Sequence, residues 1–241
     1  MKKTFAALAG LVLLASCANE EKKGNLEISG NIKGLKKGTL YLKQLQDTLL
    51  VDIDTIAIDG DSNFKTAVNI AEPEMLYLFL DRGKTASVDN SLPFFAEPGK
   101  MVIDTDLETY YAKAKITGSE NHKFLEEYNK VKSRYVNQEL EIKVKDMEAS
   151  IRNITLPETE IAKYENILKK RYLYTANFAL THKDHEIAPY LVIAETPNLG
   201  LGFMKQIIDA MSPKVAQSKY GKLLKQLYDE RLKTEMPVAS N

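Results

Sequence analysis

The chain has 241 residues, enough for one large or two small domains around a buried core. Lys plus Arg and Asp plus Glu each total 33, so the formal net charge is zero. This balance excludes the basic excess of an electrostatic nucleic-acid binder, and no nucleic-acid partner is predicted. Hydrophobic residues at 44% and charged residues at 27% exclude a wholly disordered or fibrous chain. The single cysteine excludes an intramolecular disulfide, a CxxC redox pair and a cysteine-rich zinc site.

Residues 1–16 have the pattern of a signal peptide. Lys2 and Lys3 precede an uncharged apolar run, Phe5–Leu14. This run is shorter than the ~20 apolar residues that a membrane-spanning helix needs. The sole cysteine, Cys17, follows the small residues at the end of the segment, where cleavage is expected.

The sequence Leu14-Ala15-Ser16-Cys17 resembles the lipobox of bacterial lipoproteins. The resemblance implies a diacylglyceryl group on the Cys17 sulfur, cleavage before Cys17, and acylation of the new amino group by a fatty acid such as palmitate. Each buried methylene contributes about 0.8 kcal/mol, so several acyl chains form an essentially permanent membrane anchor. We therefore expect an outer-membrane lipoprotein of the cell envelope, on the periplasmic or the surface face. A plain secretory signal with a chance cysteine is the alternative.

Residues 17–25 are polar and predict a lipidated tether between membrane and fold. Glu20-Glu21 resembles the acidic signals that direct some Bacteroidetes-type lipoproteins to the cell surface. An ordinary solvated linker explains the same residues equally well.

Residues 26–118 predict an antiparallel β-sandwich of about eight short strands, because apolar residues alternate with polar ones between turn signals. The alternation slips by one residue between Ile53 and Ile56. Asp59–Asn63 reads as a tight turn, since Gly, Asn and Asp tolerate positive φ. Met75–Leu80 is continuously apolar, as expected for a strand buried on both faces.

Residues 119–235 predict a helical region, which makes the fold class α+β, and residues 236–241 predict a disordered tail. Ser119 is a predicted N-cap, Thr155 is the N-cap of a predicted second helix, and Ser212-Pro213 opens the last predicted helix. Shorter helices are predicted around Ile187–Glu195 and Phe203–Met211. Two apolar sets at helical spacing predict packed helices rather than a long coiled coil: Phe124, Tyr128, Val131 and Tyr135, then Leu140, Val144, Met147 and Ile151.

A family resemblance rests on motifs that occur in a fixed order. They are Ile28-x-Gly30-x-Ile32-x-Gly34, Gly38 with Leu40-Tyr41-Leu42, Asp59-Gly60 with Phe64, Phe94-Phe95-Ala96-Glu97-Pro98-Gly99, and Gly118-Ser119-x-Asn121. Together they resemble the domain of unknown function that precedes the thioredoxin domain in Bacteroidetes-type envelope thiol-disulfide oxidoreductases. The helical half resembles the linker of those proteins, and Ser218-Lys219-Tyr220-Gly221-Lys222-Leu223 resembles the stretch before their thioredoxin domain.

The resemblance implies a sandwich followed by helices, a place in the envelope, and a role in binding rather than bond-making. The printed sequence ends at Asn241, where the thioredoxin domain would begin, and it has no CxxC pair. No catalytic residue and no cofactor site therefore transfers from the resemblance.

The polar clusters give weak functional signals. His182, His185 and Glu186 are weak candidate ligands for Zn²⁺ or another divalent ion, but they lack the HExxH spacing. A solvated helix junction explains them as well. Glu97 in a Pro-Gly turn favours a structural hydrogen bond over ligand binding, and His122 near a helix start favours capping over catalysis.

Aromatic pairs offer a further choice between ligand binding and packing. Phe94-Phe95 and Tyr110-Tyr111 are able to form a sugar- or peptide-binding face, but aromatics on strands more often belong to a core.

Three functions follow from these patterns. The leading expectation is a lipid-anchored, non-enzymatic module that binds an envelope protein or a small ligand. The first alternative is a free-standing accessory to a separate thioredoxin-like envelope oxidoreductase. The second is a metal-dependent hydrolase that uses the His182–Glu186 cluster. No catalytic residue and no cofactor is predicted, and Cys17 is the predicted lipidation site.

Overall fold

The computed structural model describes residues 22–81 and 88–235, which form eight strands and six α-helices in those ranges. The strands are β1 (Leu26–Lys33), β2 (Lys37–Gln46), β3 (Leu49–Asp59), β4 (Asn63–Val68), β5 (Glu74–Asp81), β6 (Ser91–Ala96), β7 (Gly99–Asp106) and β8 (Lys115–Thr117). The helices are α1 (Glu120–Ile151), α2 (Glu158–Thr181), α3 (Ile187–Glu195), α4 (Leu201–Ala210), α5 (Pro213–Gln217) and α6 (Lys219–Glu235). Strands precede helices, so the predicted α+β class is confirmed.

The strands form two four-stranded sheets, in the orders β4-β1-β7-β8 and β3-β2-β5-β6. One pair departs from the predicted antiparallel pattern, because β1 and β7 run parallel from Leu26 opposite Gly99 to Lys33 opposite Asp106. The chain leaves β1, builds the whole second sheet and β4, and then returns beside β1 in the same direction. Such a long crossover is what a parallel pair requires.

A shared apolar core holds the two sheets together. Ile28 and Ile103 from the first sheet and Leu40, Leu78 and Phe94 from the second are almost completely buried in it. Each strand contributes alternate residues to this core, as the period of two along the sequence predicts. The sandwich is therefore built on the pattern that was visible in the sequence.

The predicted phase slip in the third strand is a β-bulge. Leu42 pairs with Asp54 and Lys43 pairs with Asp52, so Ile53 is an extra residue in β3. The bulge returns Ile56 and Ile58 to the buried face.

The long helices α1 and α2 form an antiparallel hairpin. Tyr128 Oη lies 2.8 Å from Thr175 Oγ1 near its base, and Lys145 Nζ donates to Glu160 Oε2 at 3.1 Å near its tip. The predicted N-cap of α1 is present, since Ser119 Oγ accepts from the backbone N–H of His122 at 2.9 Å.

One predicted helix start and the continuity of the last predicted helix need correction, whereas the start of that last helix at Ser212-Pro213 is confirmed. The second helix begins at Glu158 behind Pro157, not at a Thr155 cap, because a residue that precedes proline is disfavoured in helical conformation. The last predicted helix is two helices, α5 and α6, which are separated by Ser218 in an extended conformation.

An apolar cluster joins the sandwich to the helices. Met75 on β5 and Phe95 on β6 pack against Tyr128, Leu191 and Tyr220 on the outer face of the second sheet. The continuously apolar β5 is thus covered on both faces, as its sequence predicts.

The end of the predicted tether is part of the fold. Asn25 Nδ2 donates to the Ile70 carbonyl at 2.7 Å, and the Ile70 N–H donates to Asn25 Oδ1 at 2.9 Å. Lys22 forms an ion pair with Asp54. The segment from Lys22 to Asn25 is therefore held on the sandwich rather than free in solvent.

The predicted signal peptide, Cys17 and the tail 236–241 lie outside the described residues. Within the described part of the chain, none of the helices combines the length and apolarity that crossing a membrane demands.

Candidate functional site

The motifs singled out in the sequence meet at the junction between the sandwich and the helices. Glu97, in the turn after β6, accepts hydrogen bonds from Asn121 N at 2.6 Å, Asn121 Nδ2 at 2.7 Å and Ser119 Oγ at 3.0 Å. A carboxylate at this point satisfies free N–H groups and complements the positive end of the α1 dipole. Glu97 thus fixes where α1 begins, which is the structural role that its turn predicted.

Asn121 also ties α1 to α3. Its Oδ1 accepts from the Ile187 N–H at 2.7 Å, and its Nδ2 donates to Glu186 Oε2 at 3.0 Å. Glu186 in turn lies 3.0 Å from Lys214 Nζ. Burial raises the pKa of Glu186, but the hydrogen bonds from Lys214, from its own backbone and from Asn121 outweigh burial and lower the pKa below its usual value.

A second set of contacts binds α6 to β5 of the second sheet. Tyr220 Oη accepts from the Met75 N–H at 3.0 Å, and Lys219 Nζ donates to Glu74 Oε2 at 2.6 Å. A Cβ at Gly221 would lie 2.0 Å from the Val215 carbonyl oxygen, so α5 and α6 approach closely only because this residue is glycine. The Ser218–Leu223 motif therefore joins helices to sheet.

His122 is a structural acceptor, so the prediction that its side chain caps the helix or lies in solvent is wrong. Its ring is buried, and Nδ1 accepts from the Phe95 N–H at 3.2 Å, which satisfies a donor on the edge strand β6. Burial lowers the pKa of His122 to about 4, so the ring is neutral at physiological pH.

Two of the three candidate metal ligands, His182 and His185, both pack their rings against Phe124, whereas Glu186 is directed elsewhere. His182 stacks on Phe178 with ring centroids 4.0 Å apart, and His185 packs its ring 4.8 Å from Phe124. Glu186 faces Asn121 and Lys214. Across residues 22–81 and 88–235, no three His, Cys, Asp or Glu side chains are grouped as metal ligands.

Three of the four residues in the two predicted aromatic pairs belong to cores. Phe94 and Phe95 are fully buried, and Phe95 has its ring 5.6 Å from Tyr190 and 5.8 Å from Tyr220. Tyr110 is also buried, whereas Tyr111 is exposed. These pairs therefore do not form one continuous aromatic binding face.

The distal part of α1 exposes an apolar surface, which we call the α1 stripe. Its five side chains are between 41% and 75% exposed: Val136, Leu140, Val144, Met147 and Ile151. Four of them were predicted to be packed, and this prediction is wrong. The opposite side of α1, with Tyr128 and Ile142, is the side that is buried beside α2, so only one of two apolar sides of the helix is covered.

A shallow depression of about 550 Å³ lies along the α1 stripe, lined by Asn137, Leu140, Glu141, Val144 and Lys145. Another, of about 300 Å³, lies between α2 and the start of α4, with Leu168, Tyr172 and Phe203 in its wall. Every buried side-chain nitrogen or oxygen in the described residues has a hydrogen-bond partner.

Sequence reasoning missed how the polar residues combine. Glu97, Ser119 and Asn121 appear in the quoted motifs, but nothing in their spacing places Glu186 or Lys214 beside them. The exposure of the α1 stripe was missed because periodicity shows that a helix has an apolar side and not whether another element covers it.

Residues 26–125 match the model of a family described as Domain of unknown function (DUF4369). The matched segment contains all eight strands and the first turn of α1, including Glu97 and Asn121. This supports the part of the resemblance that concerns a domain of unknown function. Searches of curated proteins and of solved structures gave no match.

Proposed function

We propose that the protein is a lipid-anchored, non-enzymatic interaction module of the cell envelope. The α1 stripe is the observation that supports binding, because five large apolar side chains on one helix face are exposed to water. Contiguous exposed apolar surface of this kind is typical of protein–protein interaction sites. Anchoring rests on the lipobox-like sequence that ends at Cys17.

The polar residues are consistent with this proposal. Glu97, Asn121, Glu186 and Lys214 bind one another and backbone groups, so their hydrogen-bonding capacity holds helices on the sandwich. Their role is to support a rigid frame from which the α1–α2 hairpin projects.

A second candidate is an accessory to a separate thioredoxin-like envelope oxidoreductase. The match of residues 26–125 to the domain of unknown function favours it, because the resemblance places that domain before a thioredoxin domain. In this case the oxidoreductase is the protein that binds the α1 stripe.

The anchoring half is tested with Cys17→Ala in cells fed an alkyne fatty acid. We expect acyl labelling of the unmodified chain and none of the variant, which should remain unprocessed or leave the membrane fraction. Equal labelling of both chains would disprove anchoring through Cys17.

The binding half is tested with a photo-cross-linking amino acid at Met147 in intact cells. Gln138, exposed on the opposite flank of α1, is the matched control position. We expect a discrete cross-linked species from Met147 alone, and mass spectrometry of that species identifies an oxidoreductase if the second candidate is correct. Identical products from both positions would argue against a binding surface.

A further inference from the structure

The α1 stripe lies in line with the part of α1 that touches the sandwich. Eighteen residues, or five helical turns, separate His122 from Leu140, so both lie on the same side of the helix. His122 contacts Phe95 on β6, so the sandwich occupies that side at the start of α1. Further along, the same side is open, and the exposed Leu140 and Ile151 show this.

This placement restricts what can pack on the stripe. If the α1 helices of two copies packed in parallel through their stripes, the two sandwiches would occupy the same space beside the two helix starts. A second copy with its α1 antiparallel would place its sandwich beyond the opposite end of the helix. An antiparallel arrangement about a two-fold axis also allows the same patch on two copies of the chain to pair with each other.

Charges beside the stripe fit the antiparallel arrangement. Glu141, Lys145, Glu148 and Arg152 follow one another along one edge of the stripe with alternating sign. Reversal of this series places Glu141 of one copy near Arg152 of the other. It also places Glu148 near Lys145, which within its own chain pairs with Glu160. The apolar residues match in almost the same register, with Leu140 opposite Ile151 and Val144 opposite Met147.

We infer that the α1 stripe binds the α1 stripe of a second copy of this chain, antiparallel, with the two-fold axis between Val144 and Met147. This inference rests on the proposed role of the stripe as a binding surface and names its partner. The depression lined by Leu140, Glu141 and Val144 receives a side chain of the second copy.

The contact is small. Five apolar side chains from each copy are fewer than the ~20–30 residues that each partner contributes to a standard interface. Dimerisation is therefore concentration-dependent, and confinement of both copies to one membrane favours it by raising their effective concentration.

Disulfide cross-linking tests the register. The full chain with Cys17→Ser has no native thiol, and cysteines are introduced as Leu140→Cys, Ile151→Cys or both. Both positions are exposed, so the substitutions leave the cores intact. In the double variant, mild oxidation should shift the chain to twice its mass on a non-reducing gel. Each single variant should stay monomeric, because antiparallel pairing keeps identical residues apart.

A Gln138→Cys/Ile151→Cys chain is the matched control, and it should remain monomeric because Gln138 lies off the stripe. Dimers of Leu140→Cys alone would overturn the antiparallel arrangement. A double variant that stays monomeric would overturn the inference.

The photo-cross-link at Met147 distinguishes two outcomes. Either the second copy is not the partner, or the stripe is not a binding surface at all. A product with another protein or with lipid would overturn the second copy as partner while leaving a binding role. The absence of any stripe-specific product would overturn both.

Discussion

Asn121 is the residue on which the junction depends most. It is buried in the first turn of α1, and it bonds to Glu97, Glu186 and the Ile187 backbone. Buried polar groups that lose a partner keep their desolvation cost and lose the bond that offset it. Asn121 is thus the one side chain that bonds the turn after β6, α1 and the start of α3 together, beside the separate contacts of His122 and α6 with the second sheet.

Replacement of Asn121 by Ala should destabilise the protein by roughly 2–4 kcal/mol, because Glu186 and the Ile187 N–H lose buried partners. Urea unfolding followed by circular dichroism measures this loss. Asn137→Ala, exposed on the same helix, should change stability by less than about 0.5 kcal/mol. Equal effects of the two substitutions would contradict the role given to Asn121.

His122 should make stability depend on pH between about 6.5 and 4. Burial lowers its pKa to about 4 in the fold, against 6.5 for the unperturbed group, so the unfolded chain binds the proton first. Stability is complete above the unfolded pKa and falls as the pH drops, by about 3 kcal/mol in total. Unfolding free energies measured across this range test the slope.

His122→Asn supplies the control for that slope. The amide retains an acceptor for the Phe95 N–H but does not titrate, so most of the pH dependence above pH 4.5 should disappear. If the unfolding free energy of the variant changes with pH as steeply as that of the unmodified chain, the pH dependence comes from other groups.

At the scale of elements, local pattern predicted most of the structure. Alternation predicted the strands and the bulge at Ile53, and the capping signal predicted the start of α1 at Ser119. What local pattern does not encode is which elements meet. The parallel β1–β7 pair and the exposure of Leu140 depend on the path of the whole chain. Sequence periodicity predicted antiparallel pairing and a packed Leu140, and it was wrong at both points.

The close approach of α5 and α6 predicts opposite effects for two helical glycines. Gly221→Ala should destabilise by about 1–3 kcal/mol despite the better helix propensity of alanine, because its Cβ would meet the Val215 carbonyl. Gly202→Ala in α4 has open space around it and should be neutral or stabilising by up to about 1 kcal/mol. Thermal unfolding of the two variants compares them, and destabilisation of both alike would count against the tight α5–α6 contact.

For the whole molecule, the position of Lys22 limits how far the fold stands from a membrane. If Cys17 is lipidated, only residues 18–21 separate the anchor from the Lys22–Asp54 ion pair. Five chain steps span at most about 17 Å. The middle of β3, which contains Asp54 and Thr55, should therefore lie close to the bilayer.

Energy transfer from a dye on Thr55→Cys to labelled lipid headgroups tests this placement in the lipidated protein. We expect strong transfer, which should fall when a long Gly/Ser segment is inserted after Glu21. Transfer that is weak, or unchanged by the insertion, would contradict the short tether.

In the cell envelope, a partner should cover the α1 stripe. The most direct measurement compares the rates at which a thiol reagent modifies Val144→Cys and Gln138→Cys, in intact cells and in dilute purified protein. We expect equal rates for the purified variants and strong, selective protection of Val144→Cys in cells. Equal reactivity of the two positions in cells would show the stripe uncovered and would contradict the claim.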